Sequence, residues 1–167
     1  MKLYLIRHAK AAERGVVYPD DSLRPLIDKG HQQAKQLAAY LKALDIRFDL
    51  LASSPYIRAQ QTAKPLKDLL KGKAYFELRE LADHDYDALL AALNNHCQDT
   101  ELDPKAALAL VGHEPYLSEL ASYLLVGDDR LNIKFSKGSM MELEGRLVPR
   151  AMILKAMIPP KYGMVDV

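Results

Sequence analysis

The stretch KLYLIRHAK, residues 2–10, decides how the rest of the chain is interpreted. Leu3 to Ile6 form a short apolar run rich in strand-forming residues, which predicts a buried β-strand. Arg7 and His8 follow where that strand would end. In an open parallel sheet, ligands gather outside the carboxyl ends of the strands. The pair therefore indicates a phosphate-binding, nucleophilic site, unless the arginine is merely salt-bridged and the histidine merely satisfied by a backbone carbonyl.

Length and composition are those of an ordinary globular protein. With 167 residues, 49% of them hydrophobic and 27% charged, the chain is expected to form a single domain, 1–167, that buries a substantial core. Its last residues show no clear pattern and are expected to form a tail. The formal net charge of +1 gives no general attraction to nucleic acid or to an anionic membrane.

The single cysteine, Cys97, cannot form an internal disulfide, which fits a reducing compartment. The apolar run before Arg7 is too short for a signal peptide or a membrane span. We therefore expect a cytoplasmic protein that is a monomer or a weak dimer. No Cys–His cluster has the spacing of a zinc site, and we expect neither a metal nor another cofactor.

Predicted strands and helices alternate along the chain. Strands are predicted at 3–6, 48–52, 74–77 and 106–111, and helices at 28–44, 55–70, 86–96 and 114–125. Two further strands, 139–144 and 147–156, are expected at a sheet edge. This alternation predicts an α/β fold, a three-layer α/β/α sandwich with a mostly parallel central sheet and right-handed crossovers.

The segment from residue 10 to residue 27 is rich in turn formers and long for a connection. Such loops in compact domains are usually functional or disordered. Arg24 lies in this loop and is expected either to touch the substrate or to form a structural ion pair. The carboxylates available for that pair are Asp20, Asp21 and Asp28.

Each of three strand-to-helix junctions delivers a basic or imidazole group: Arg7 with His8, then Arg58, then His113. Arg58 falls in the first turn of its helix, where the backbone is already positive, and this placement is favourable if an anion lies between them. The carboxyl ends of parallel strands share one sheet edge, so these side chains should converge. Guanidinium forks match phosphoryl oxygens, with charge-assisted bonds worth about 1.5–3 kcal/mol each.

These motifs resemble those of the histidine phosphatase superfamily, in the segments LIRH (5–8), SSPYIRAQQT (53–62) and VGHEP (111–115). Arg24-Pro25-Leu26, with Gly30 and Gln33-Ala34 beyond it, resembles the superfamily's small phosphohistidine phosphatase branch, the SixA type. The likeness covers roughly residues 1–125. It implies a phosphoglycerate mutase-like fold and a phosphatase activity.

The resemblance implies that His8 is the nucleophile that becomes phosphorylated and that Arg7 and Arg58 clamp the phosphoryl oxygens. It implies that His113 donates a hydrogen bond to the same group in the transition state. Phosphoryl transfer needs mainly positioning and charge stabilisation, and a covalent relay splits one difficult displacement into two. A neutral imidazole must attack, so the other nitrogen of His8 should share its proton with a backbone carbonyl.

Two features depart from the wider superfamily. Ala9 stands where glycine is usual, and its methyl group is expected to narrow the pocket. Larger members carry a carboxylic acid that protonates the leaving oxygen, and the predicted loop 78–85 offers Glu80 first and Asp83 second. Each of these is otherwise a surface carboxylate. Ser54, before a proline, is expected to cap the next helix and is also a candidate phosphate contact.

A site without a strong acid favours phosphohistidine as substrate, because its leaving nitrogen can be protonated before the bond breaks, whereas an alkoxide needs a proton from the enzyme. No large insertion separates Arg58 from His113, which indicates an open site. We therefore expect hydrolysis of phosphohistidine on a protein, such as a phosphotransfer domain in signal transduction. The alternatives are a phosphatase of small phosphomonoesters such as sugar phosphates, and a catalytically silent phosphate-binding module.

Overall fold

The computed structural model describes residues 1–72, 74–99 and 101–160, and these form a mixed six-stranded sheet with helices on both faces. The strands are β1 (Lys2–Arg7), β2 (Leu50–Ser53), β3 (Tyr75–Glu77), β4 (Ala107–Gly112), β5 (Met140–Gly145) and β6 (Met152–Ile158). The helices are α1 (Asp28–Ala43), α2 (Ile57–Ala63), α3 (Glu80–Asp83), α4 (Tyr86–Asp99) and α5 (Tyr116–Val126). The predicted α/β class is confirmed.

The strand order is β3-β2-β4-β1-β5-β6. The four strands from β3 to β1 are parallel, and β5 and β6 continue the sheet in antiparallel fashion. In the parallel part Arg7 lies opposite Gly112, and Ser53 lies opposite Val111. The residues that follow β1, β2 and β4 therefore emerge side by side at one edge of the sheet.

The central strand β1 has no solvent-exposed face along its apolar run. Leu3 and Leu5 pack into the core beneath α3, α4 and α5, while Tyr4 and Ile6 pack into the core beneath α1 and α2. A nearly continuous apolar run is typical of a strand covered on both faces. Each of these leucines contributes about 1.5–3 kcal/mol relative to an exposed one, so the layers hold β1 and the residues after it in place.

The second helix is shorter than predicted. It begins at Ile57 with Tyr56 at its N-cap, and no side chain caps it, so the prediction that Ser54 caps this helix is wrong. The α-helix ends at Ala63, and a 3₁₀ segment, Lys64–Leu69, continues the path. Pro65 explains the change, because a residue without an N–H group cannot continue the α-helical hydrogen bonds.

The remaining differences lie at the ends of the sheet and in one connection. The predicted loop 78–85 contains the one-turn helix α3. β5 lies between β1 and β6 and is not an edge strand, and β6 begins five residues later than predicted, at Met152. The C-terminal tail, 161–167, lies outside the described residues. No helix in the described part of the chain is long and apolar enough to cross a membrane.

Candidate active site

The sheet edge brings the predicted residues together. The backbone N–H of His8 donates to the carbonyl of Gly112 at 3.0 Å, which fixes the end of β1 against the end of β4. The centroids of the His8 and His113 imidazole rings are 5.2 Å apart. The Arg58 Nε atom lies 3.3 Å from His8 Nε2. The side chains that the strand-to-helix junctions carry therefore meet around one nitrogen of His8.

These residues line a cavity of about 370 Å³. Its basic and imidazole side chains are Arg7, His8, Lys10, Arg14, Arg24, Arg58, His113 and Lys137, and its carboxylates are Glu13 and Glu114. The cavity is therefore strongly cationic in a chain whose net charge is only +1.

His8 is 4% exposed, and both of its ring nitrogens have hydrogen-bond partners. Its Nδ1 atom lies 2.7 Å from the carbonyl oxygen of Ala9, which can only accept, so Nδ1 carries the proton. Burial and the positive charges of Arg58 and Arg7 lower the pKa of His8 to about 3. The hydrogen bond to Ala9 acts in the opposite direction but is weaker than burial. At neutral pH the ring is uncharged and Nε2 carries the lone pair, as a nucleophilic histidine requires.

Ala9 does not narrow the cavity. Its side chain is fully buried in a small apolar cluster with Ala11, Leu26 and Ala34, and Ala9 is not among the residues that line the cavity. Its N–H donates to the Thr62 hydroxyl at 3.0 Å. The expected steric effect of the methyl group is therefore wrong, and Ala9 instead anchors the start of the long loop.

Arg58 is 3% exposed, and its guanidinium is shared between His8 and Asp21. Nε faces His8, while Nη1 donates to the Asp21 carbonyl at 2.6 Å and Nη2 to the Asp21 carboxylate at 2.8 Å. The Arg58 fork is thus held by a residue of the 10–27 loop, and Nε is the group turned toward His8. Asp21 fixes the orientation of the arginine.

The same Asp21 carboxylate also accepts from Arg24 Nε and Arg14 Nε, each at 2.9 Å. Burial would raise the Asp21 pKa, but the Arg24 hydrogen bond and the Arg58 charge outweigh it and hold that pKa below its ordinary value. Arg24 therefore makes the predicted ion pair with Asp21 and also lines the cavity. Sequence analysis considered Asp21 only as a partner of Arg24, because nothing in the sequence reveals its contact with Arg58.

Arg7 is oriented by the segment just before β5, of which only Ser139 lies in a predicted strand. Its Nη1 atom donates to the carbonyl of Phe135 at 2.6 Å, and its backbone N–H donates to the backbone carbonyl of Ser139 at 3.1 Å. Its Nε atom is buried and has no hydrogen-bond partner among the residues described. Arg7 also lines the cavity, so its guanidinium borders an anion bound there. The stretch KFSKGS, residues 134–139, could have predicted a turn here, because glycine and serine are typical turn residues.

His113 is held by Ser54, whose hydroxyl lies 2.8 Å from His113 Nε2. The Nδ1 atom of His113 is buried without a hydrogen-bond partner in the described structure. Burial, with the charges of Arg58 and His8, lowers the pKa of His113 to about 2. Ser54 does not line the cavity. The structure therefore assigns it contact with His113 instead of the expected phosphate contact.

The predicted acid Glu80 is not in the cavity. It begins α3, whose Leu81 is anchored in the core, and neither Glu80 nor Asp83 lines the site. Asp83 pairs with Arg79 at 3.3 Å instead. The structure therefore gives no support to Glu80 as the general acid.

Glu114 is the carboxyl group that sequence analysis missed at the cavity wall. Its oxygens accept from the N–H and the hydroxyl of Ser118, at 3.1 and 2.8 Å. Burial raises the pKa of Glu114, although the Ser118 hydrogen bonds and the charge of Arg7 act in the opposite direction. No group of three or more His, Cys, Asp or Glu in the described ranges could hold a metal ion.

The model of the histidine phosphatase superfamily (branch 1) matches residues 3–116. An uncharacterised protein from Picosynechococcus sp. is 35% identical over 143 residues, which are 86% of this chain and 84% of that protein. Phosphohistidine phosphatase SixA from Escherichia coli is 27% identical over 129 residues, 77% of this chain and 76% of SixA.

Solved structures share the fold across almost the whole chain. The protein histidine phosphatase SixA complexed with tungstate has a TM-score of 0.80 at 22% identity, covering 97% of this chain and 99% of that one. The α-ribazole phosphatase from Shigella flexneri has a TM-score of 0.69 at 18% identity, covering 96% and 97%. The fold thus occurs in phosphatases of proteins and of small molecules.

Proposed function

This chain belongs to the histidine phosphatase superfamily, and on that premise we propose that it hydrolyses phosphohistidine on a protein through a covalent intermediate on His8. Family and SixA-like fold support a phosphatase, that is, a hydrolase. The proposal adds the nucleophile and the substrate, and it includes no metal. The physiological setting that it implies is a cytoplasmic signal-transduction system in which a phosphotransfer domain is the partner.

The observation that carries the proposal is the state of His8. Its Nδ1 proton is held by the Ala9 carbonyl, so Nε2 carries the lone pair, which accepts a hydrogen bond from Arg58 Nε at 3.3 Å. The neighbouring Arg7 Nε and His113 Nδ1 are buried nitrogens without partners in the described structure. In the proposed reaction Arg58 Nε transfers its hydrogen bond from Nε2 to a phosphoryl oxygen. Arg7 Nε and His113 Nδ1 donate to the same group, His113 in the tautomer in which Ser54 donates to its Nε2.

The reaction then has two displacements. Nε2 of His8 attacks phosphorus, a P–N bond to His8 forms, and the P–N bond to the substrate histidine breaks, its electron pair remaining on the protonated imidazole that leaves. Water next attacks the phosphorus on His8, and the P–N bond to His8 breaks with its electron pair returning to Nε2. Inorganic phosphate leaves, the proton of the water passes to solvent, and His8 is restored with its proton on Nδ1. Arg7 and Arg58 stabilise the negative charge on the phosphoryl oxygens in both steps.

The absence of Glu80 from the cavity favours a phosphoramidate substrate. A protonated imidazole leaves without further help, whereas an alkoxide needs an acid. Glu114 favours the second candidate function, the hydrolysis of small phosphomonoesters, because it is a cavity carboxyl group with a raised pKa. Its oxygens already accept two hydrogen bonds from Ser118, which favours the ionised form and weakens that candidate.

The test compares hydrolysis of a phosphohistidine-containing protein with that of p-nitrophenyl phosphate and a panel of sugar phosphates. The proposal predicts a strong preference in kcat/KM for phosphohistidine, with His8→Ala as the inactive control. Equal or faster turnover of a sugar phosphate would overturn the substrate assignment and favour the second candidate. Hydrolysis of none of these compounds by the wild-type protein would overturn the enzyme assignment as a whole.

A further inference from the structure

The cavity holds more positive charge than one phosphoryl group needs. The Asp21 carboxylate accepts hydrogen bonds from Arg14, Arg24 and Arg58, and its single negative charge offsets one of these three positive charges. A phosphoryl dianion on His8 would be matched by Arg7 and Arg58. Lys10 and Lys137 remain, and both line the cavity.

Neither lysine has a carboxylate partner within the described ranges. Lys137 makes no ion pair there, and burial and neighbouring positive charges lower its pKa. Those charges belong to Arg7, Arg24, Lys10 and Arg58. Neither of the two cavity carboxylates, Glu13 and Glu114, is among the groups that influence Lys137. Like charges held together in this way gain from an anion that binds between them.

The backbone presents both lysines rigidly beside the nucleophile. Lys137 lies in a turn closed by the Ser139 N–H on the Ser136 carbonyl at 3.0 Å. The next residue, Gly138, has a φ of +78° and donates to the carbonyls of Arg7 and His8, each at 3.2 Å. A residue with a side chain is strained at that φ, so glycine fits the turn that places Lys137 at the end of β1.

The backbone of Lys10 is fixed by contacts with Gln33 and Ile27. Its N–H donates to Gln33 Oε1 at 3.0 Å, and its carbonyl accepts from Ile27 at 3.1 Å. Gly30 permits this packing, because a Cβ atom there would lie 1.9 Å from the Lys10 carbonyl oxygen. Both lysines therefore line the same cavity as His8, close enough for the Lys10 charge to act on Lys137.

We propose that Lys10 and Lys137 form a second anion subsite, which binds a carboxylate side chain that lies next to the phosphohistidine in a protein substrate. This inference rests on the proposed function and narrows its substrate class to phosphohistidine in an acidic surface. The phosphoryl group enters between the arginines, and the neighbouring carboxylate lies at the rim.

The loop that borders the cavity favours a protein as the carrier of this second anion. Val16 is 100% exposed and Val17 is 79% exposed, and only Gly15 separates them from the cavity-lining segment 11–14. An adjacent pair of exposed valines gains from burial against a partner surface, which a small phosphate ester does not offer.

The experiment uses two phosphohistidine peptides that differ only in their flanking residues, one acidic and one neutral. The variants are Lys10→Gln, Lys137→Gln and the double variant. Lys42→Gln, at the exposed C-terminal end of α1, is the matched control. The preference for the acidic peptide is the ratio of the two kcat/KM values, measured at low and high salt together with p-nitrophenyl phosphate turnover.

We expect the wild-type protein to prefer the acidic peptide and the double variant to lose about three- to tenfold of that preference, as rim ion pairs usually contribute. The preference should weaken in high salt. Lys42→Gln should leave the ratio unchanged. An unchanged ratio in the double variant would overturn the subsite.

A binding measurement separates this inference from the proposed function. In a His8→Ala background the two peptides bind without being hydrolysed, and the same lysine substitutions should reduce the difference between their Kd values. If the lysine substitutions remove this difference in Kd, the subsite is supported. If the protein with His8 intact also fails to hydrolyse phosphohistidine, the proposed activity is overturned while the subsite stands. Equal Kd values for both peptides in the His8→Ala protein would overturn the subsite regardless of turnover.

Discussion

Replacing Asp21 with asparagine tests how the active-site arginines are held. The substitution removes one negative charge and nearly preserves the side-chain shape. Asp21 accepts from Arg58 at 2.8 Å and from Arg24 at 2.9 Å, and the two arginine side chains are 4% and 8% exposed. Arg14 is 76% exposed and contributes little. The lost interaction energy therefore comes mainly from the contacts of Asp21 with the buried guanidiniums of Arg58 and Arg24.

The magnitude follows from these contacts. A hydrogen bond to a charged group contributes about 1.5–3 kcal/mol, and the lower end applies because the Asp21 side chain is 32% exposed. Asparagine keeps one neutral hydrogen bond, worth about 1 kcal/mol. The free energy of unfolding should therefore fall by about 2 kcal/mol, which corresponds to a decrease in Tm of about 4–8 °C for a chain of this size.

Thermal unfolding in phosphate-free buffer and in increasing phosphate is the assay. Because phosphate can replace the lost carboxylate charge, the Tm of Asp21→Asn should rise more with phosphate than that of the wild-type protein. Asp20→Asn is the matched control, because Asp20 accepts only from Ser22. An Asp21→Asn protein with the wild-type Tm and the wild-type phosphate response would refute the reasoning.

Three further predictions concern proton supply, pH and packing. Glu80→Gln should leave phosphohistidine hydrolysis within about twofold of wild type, and Glu114→Gln should lower turnover of p-nitrophenyl phosphate more than that of phosphohistidine; steady-state kinetics on both substrates checks this. The His8 pKa of about 3 lies below the unfolded value of 6.5. As pH falls, the unfolded chain therefore binds a proton on this residue before the folded protein does. Between pH 6.5 and pH 3 this residue lowers the free energy of unfolding by about 1.4 kcal/mol per pH unit. Urea unfolding at a series of pH values should show that this contribution is missing in His8→Ala. Gly30→Ala should cost about 3 kcal/mol in urea unfolding, because its Cβ would lie 1.9 Å from the Lys10 carbonyl oxygen.

The strands and the order of the elements follow from local patterns. The apolar runs at 3–6 and 106–111 fall within or next to β1 and β4, and the predicted helix 28–44 matches α1 to within one residue. Both strands are covered on both faces, so burial and pattern agree. The convergence of His8 with Arg58 then follows from topology, since parallel strands place their carboxyl ends at one edge.

The contacts that complete the site could not be read from the sequence. Asp21 contacts Arg58 across 37 positions of the chain, and Phe135 contacts Arg7 across 128. Neither pairing has a local periodicity. Glu80 was suggested by its position in a loop expected from the family resemblance, and it is not among the residues that line the cavity.

The central claim is that His8 carries the phosphoryl group during turnover. Rapid quenching of the wild-type protein with a phosphohistidine substrate, followed by peptide mass spectrometry under alkaline conditions that preserve phosphohistidine, tests it most directly. For the wild-type protein we predict one added phosphoryl group on the peptide that contains His8. His8→Ala should show neither this phosphopeptide nor turnover. It should still bind phosphate, because Arg7 and Arg58 are retained. Phosphorylation of another residue, or near wild-type turnover by His8→Ala, would contradict the account.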